Sequence, residues 1–162
     1  MNTIVKLART VRFDESDDNV FHRPAAPGEW AVSGGFEFSN WTEADLTGKA
    51  RQAFANGWLG LDSFGRASLV AVAHVEPAEV DVLVRRLAEH FVDVYGAPSI
   101  EAALPAARAE IDHMQDLCED PSPNAILVVS RELTESGIRE QYRAIKASDA
   151  ELDQVAVHAT LE

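Results

Sequence analysis

Glu110 and His113 stand three residues apart in a stretch whose apolar residues recur with helical spacing, so both side chains share one helix face. That is the spacing with which carboxylate-bridged two-metal bundles present their ligands. A complete site of that kind needs a second Glu-x-x-His and two further carboxylates. The strongest other helix offers only Glu89-His90, at adjacent and differently facing positions. Asp112 and Asp116 on the same helix favour a solvated acidic surface, so no metal ligand is assigned. Asp14, Ser16 and Asp18 imitate the first three ligands of a calcium loop, but Asn19 replaces the required glycine and Ala25 the bidentate glutamate. Residues 14–19 are expected to form a polar turn kept in solvent.

Nucleophilic chemistry finds no better support. Cys118 lies five residues beyond His113, on a different side of a regular helix, so no base is set against it. It reads as a half-buried cysteine at a helix end. No Gly-x-Ser-x-Gly elbow occurs, and Gly57, Gly60 and Gly65 fit neither the dinucleotide nor the mononucleotide phosphate loop. Ser33-Gly34-Gly35 comes nearest to one. His22, His74, His90 and His158 are dispersed, and His74 stands in the most apolar stretch, where its ring must find a partner or face a pocket. A satisfied core histidine is the default there. A pocket joining His74 to Ser33, Gly34 and Gly35 is the site that an enzyme or ligand-binding reading would use. No residue is assigned a catalytic, cofactor-binding or metal role, no cofactor is expected, and whether the chain is an enzyme stays open.

Trp30, Trp41, Trp58, Phe36, Phe38, Phe54 and Phe64 crowd the first 65 residues. Core filling is the default for such rings. Exposed together, they would instead mark a docking surface.

Composition narrows the partners. The 162 residues match one domain, 1–162, and 46% apolar with 25% charged residues is ordinary globular usage, so a core should form. With 27 acidic against 14 basic side chains the net charge is -13, which repels phosphate backbones and anionic lipid. Nucleic acid and membrane are therefore not expected as partners. Lys6, Arg9 and Arg12 interrupt the N-terminal segment, unlike the apolar run of a secretory signal. One cysteine allows neither an intramolecular disulfide nor a cysteine-based zinc cluster, which fits a reducing cytoplasm.

The elements follow from periodicity. Residues 4–13 alternate as a half-buried strand, with Arg9 as the one intruder on its apolar side. A second strand is expected over residues 29–38, interrupted by Gly34 and Gly35, where something approaches the backbone closely. Thr42 and Asp45 resemble a capping box that opens a first helix, which Gly57 would end in the left-handed conformation. The apolar run 67–75 suits a buried central strand. Pro77 then opens the strongest helix, carrying Val80, Leu83, Val84, Leu87 and Phe91 to Gly96. A further helix from about Ser99 to Cys118 should bend or restart at Pro105. Residues 125–129 read as an interior strand, Glu135-Ser136-Gly137 as a hairpin turn into residues 138–146, and 154–161 as a short last strand after a turn capped by Ser148 and Glu151. The order implies an α+β fold, a largely antiparallel sheet of five to six strands with two to three helices on one face.

The segments 7–14, 27–38 and 46–60, Leu-Ala-Arg-Thr-Val-Arg-Phe-Asp among them, resemble those of a small alphaproteobacterial family of uncharacterised proteins. The resemblance spans most of the chain and implies a gene setting beside molybdenum-dependent formate dehydrogenase and lipoate-ligase-like proteins. It carries no catalytic residues across. It implies a non-catalytic accessory or assembly role through protein contacts, with a homo-oligomer left open, against the alternative of a small-molecule pocket around His74.

Overall fold

A computed structural model describes residues 5–12 and 15–145. Asp14, the Ser148 and Glu151 pair, His158 and the strand expected over 154–161 lie outside the described residues. The alternating N-terminal segment is strand β1 (Val5–Val11). The acidic turn expected after it is in part a helix, α1 (Ser16–Val20), because Asp17 turns inward and accepts a hydrogen bond from the Ser68 hydroxyl at 2.9 Å.

Strand β2 stops at three residues (Trp30–Val32), well short of the stretch expected over 29–38. Gly34 takes a left-handed φ of 76°, and Gly35–Phe38 wind into a 3-10 turn. Thr42 and Asp45 do pair, the Thr42 N–H donating to the Asp45 carboxylate at 2.8 Å, but they open only the 3-10 turn Glu43–Asp45. The helix itself, α2 (Gly48–Asn56), begins afresh, and Gly57 ends it in extended rather than left-handed backbone.

Two short strands that the periodicity misses follow, β3 (Trp58–Gly60) and β4 (Arg66–Ala67). Ser68, which bonds Asp17, splits the apolar run, so that β5 covers Leu69–Val75. Helix α3 (Pro77–Tyr95) has proline in its first turn and left-handed Gly96 as its terminator, as expected. Helix α4 (Ile100–Glu119) starts on Ser99, whose hydroxyl accepts from the Ala102 N–H at 3.1 Å. It runs through Pro105 as one element. Pro105 and Glu101 both face solvent, so water can satisfy the Glu101 carbonyl that proline leaves without a helical donor. Strands β6 (Ile126–Thr134) and β7 (Gly137–Ile145) form the expected hairpin, with Thr134 opposite Gly137.

The strand order is β4-β3-β2-β1-β5-β6-β7, and every named pair is antiparallel. Seven strands and four α-helices among the described residues replace the expected five to six and two to three, the surplus being two- and three-residue strands and the five-residue α1. Leu7, Val70, Val72 and Leu127 of the central strands share one core with Val80, Leu83 and Leu87 of α3 and Ala107, Ile111 and Met114 of α4. Arg9, the intruder in β1, stands opposite Trp30, and its guanidinium lies 4.0 Å from the centre of that ring.

Ile111 is fully buried on α4, whereas Val82 on α3 is 56% exposed. Ile111→Ala should therefore cost about 2–5 kcal/mol of unfolding free energy in a urea titration, and Val82→Ala no more than about 0.5 kcal/mol.

Candidate functional site

Two arginines reach the interior from strands. Arg131 of β6 continues the inward row of Leu127 and Val129, and its side chain is 0% exposed. A guanidinium in such a place must be both paired and hydrogen-bonded. Its Nε donates to Glu140 of β7 at 2.6 Å, one Nη to the carbonyls of Gly57 at 2.8 Å and Phe54 at 2.9 Å, and the other to the carbonyl and hydroxyl of Ser33. Arg66 of β4 approaches the same carbonyls from the other side. It donates to Gly57 O at 3.1 Å, Gly34 O at 3.0 Å and Glu37 at 2.6 Å.

This accounts for Ser33-Gly34-Gly35. A Cβ on Gly34 would lie 2.5 Å from Leu59 Cβ and 2.8 Å from Arg66 Nη1, and one on Gly35 would lie 2.7 Å from a Glu140 oxygen. What approaches the backbone closely is the chain's own charged side chains.

Each arginine has a polar outer end. Glu140 also accepts from the Ser33 hydroxyl at 2.7 Å, Tyr142 donates to Ser33 at 3.3 Å, and His113 Nε2 lies 3.1 Å from the Tyr142 hydroxyl. On the Arg66 side, Glu37 accepts from Tyr95 at 2.6 Å and from His90 Nε2 at 3.3 Å. Burial and then the Arg131 charge lower Arg66 to about 10. Burial would raise Glu37 and Glu140, but the facing arginine and the hydrogen bonds they accept outweigh it and hold both below the ordinary carboxylate value. Glu110 has burial and then the Glu140 charge against it, and is raised.

The Arg66 end opens into a cleft of about 430 Å³. Phe38 and Trp41, edge to face at 4.8 Å, form one wall, with Ala50 and Ala53 of α2 beside them. Phe21, Phe64 and Tyr95 line the cleft as well, and Arg66, Glu37, His22 and Arg23 supply the polar groups. Arg66 lies 4.5 Å from the centre of the Phe38 ring. Phe64 holds a φ of 56°, which a bulky side chain adopts only under constraint, and its ring stacks on His90 at 3.9 Å.

The sequence model of one protein family matches residues 5–162. The chain belongs to that family of unknown function, DUF6505. No curated protein and no solved structure matches it. The membership agrees with the resemblance to uncharacterised proteins and assigns no residue a role.

The DUF6505 chain places the sequence candidates as follows. His74 is an exposed residue of β5, not a core histidine, and it lines a separate cleft with Lys6, Asp116 and Glu119, to which Ser33, Gly34 and Gly35 do not belong. Glu110 and His113 do share a face and point to the Glu140 and Tyr142 region. No three His, Cys, Asp or Glu side chains converge as a metal-ligating group among the described residues. Cys118 is fully rather than half buried, and burial pushes its thiol up to about 12. Among the aromatics, Trp30, Trp58, Phe38 and Phe54 are buried, so the seven rings form no exposed patch. No helix among the described residues is long and apolar enough to cross a membrane. Sequence reasoning misses Arg66, Glu37, Glu140 and Tyr142 altogether; for Arg131 the signal was its inward place in the row of Leu127 and Val129.

Glu140 and Glu110 should respond in opposite directions when neutralised. A carboxyl lowered by folding contributes stability in full above its unfolded pKa and loses it as pH falls through the folded value; a raised one costs stability at neutral pH. Chemical unfolding at pH 7 should show Glu140→Gln destabilised and Glu110→Gln stabilised, the Glu110 difference shrinking as the pH falls towards the ordinary value of 4.5 and the Glu140 difference only as it falls below that value. Glu140→Ala, which strands Arg131 in the interior, should cost about 3–5 kcal/mol.

Proposed function

We propose that this chain binds a small molecule in the aromatic cleft beside α2. The lining carries the reading: five aromatic rings and a buried ion pair, Arg66 with Glu37 at 2.6 Å, surround one concavity of about 430 Å³. Sites for small molecules have this make-up, mostly apolar walls with a few placed polar groups, at about 300–1,000 Å³. The strained Phe64 supports it, since such backbone is kept where the surrounding structure over-determines it, and such places cluster at ligand sites. The small-molecule alternative thus keeps its chemistry and moves from His74 to a cleft floored by Arg66. No step of a reaction is assigned.

A second reading rests on β7. It is the last strand of the sheet among the described residues, nine residues long, with no residue of it buried. Open edges accept strands from partners. On that reading the chain is an accessory or assembly protein in a bacterial redox-enzyme system, the setting that the resemblance implies. Native pull-down should then recover a stoichiometric partner, and a clean monomer with none would count against it.

The neutral fluorescent probe N-phenyl-1-naphthylamine tests the cleft. Its emission should rise on the native protein with saturable binding, and Ala53→Trp, which fills the cleft from α2, should abolish the rise while circular dichroism stays unchanged. Equal emission from both proteins would remove the cleft as the binding site.

A further inference from the structure

We infer that the ligand of this cleft is a planar aromatic anion, its ring system against the aromatic lining and its acidic group on Arg23. The inference rests on the cleft being the binding site and adds the chemical class of what enters it.

Charge is the first observation. The protein as a whole carries -13, yet the charged residues lining this cleft are Arg23, Arg66 and Glu37, with His22 beside them. Glu37 and Arg66 neutralise each other at 2.6 Å, and the remaining contacts of both are internal, Tyr95 and His90 on the carboxylate and the Gly34 and Gly57 carbonyls on the guanidinium. Subtracting that pair leaves Arg23. Its side chain is exposed, and among the described residues it makes no ion pair. Arg23 also lines the adjoining cleft beyond Phe64, whose acids are Asp62, Glu89 and Asp93; Asp62 pairs with Arg86 at 2.9 Å and Glu89 with Arg85 at 3.6 Å, and none of the three pairs with Arg23.

The second observation is that the main chain carrying this cation is fixed. The Arg23 carbonyl accepts from the Arg66 N–H at 2.7 Å, and the Ala25 N–H donates to the Arg66 carbonyl at 2.8 Å. The packing beside it is close enough that a Cβ on Gly65 would lie 2.7 Å from the Arg23 oxygen. Strand β4 thus supplies one arginine of the cleft lining and, through its backbone, fixes the main chain that carries a second. A guanidinium that makes no ion pair among the described residues, carried on fixed backbone beside an aromatic concavity, matches a carboxylate or sulfonate on a planar ring, and it repels a cation.

The test compares 1-naphthoate with its neutral isostere 1-naphthamide and with the cation 1-naphthylmethylamine, by calorimetric titration of the full chain. Naphthoate should bind about ten-fold more tightly than naphthamide, and the amine least, as expected for one charge-assisted hydrogen bond. Arg23→Gln should erase the preference, so that naphthoate binds no more tightly than naphthamide, and 1 M salt should weaken naphthoate alone. Equal binding of naphthoate and naphthamide, or a preference that survives Arg23→Gln, would overturn the anion assignment while leaving the cleft as the site. Binding of none of the three, together with no effect of Ala53→Trp on the neutral dye, would overturn both.

Discussion

A permanent positive charge sits where no water reaches, and the surrounding chain is arranged around that fact. Taking the Arg131 guanidinium out of solvent costs several kcal/mol unless its donors are met in full. They are met by Glu140 on one side and by the carbonyls of Phe54, Gly57 and Ser33 on the other. Those acceptors come from β7, the end of α2 and the residue just after β2, so one side chain ties the β6–β7 hairpin to two segments that its own strand ladder does not reach. Arg66 repeats the device from β4, sharing the Gly57 carbonyl. Two like charges this close are tolerable because Glu37 and Glu140 bring two opposite ones.

The local backbone follows from that arrangement. Carbonyls can converge on two guanidiniums only if the chain bends sharply and carries no side chain at the point of approach, and Gly34 at φ 76° with Gly35 beside it meets both conditions. The bend ends β2 early and throws Phe36 and Phe38 into a 3-10 turn. Phe36 then packs edge to face on Phe91 of α3 at 4.9 Å, and Phe38 covers Arg66. The aromatic cleft borders this inner arrangement, since the Arg66 and Glu37 pair lines it together with Phe38, the ring that the bend puts in place.

The long helices and the last hairpin were readable in the sequence because their signals are local. A stripe of Val80, Leu83, Val84 and Leu87 between Pro77 and Gly96 admits one reading, and so does a two-residue turn before Gly137. Strands of two or three residues offer no period to read, so β3 and β4 carry no signal of their own and the alternation around β2 extends past the strand. His74 shows a related limit: an apolar run in sequence says nothing about which of its residues the fold leaves uncovered, and His74 is exposed while Val75 beside it is buried.

Composition and spacing alone established an α+β chain with an antiparallel sheet, an acidic surface and no complete local catalytic motif, since each of these depends on residues near one another in sequence or on simple totals. Which charges meet lay beyond that reach. Arg66 and Glu37 are 29 residues apart, Ser33 and Glu140 are 107, and Arg131 and Ser33 are 98. Nothing in one strand's pattern states which distant carbonyls and carboxylates will surround an inward arginine. That depends on how the seven strands are ordered and where the chain bends, so the candidate site exists only once the whole sheet is assembled.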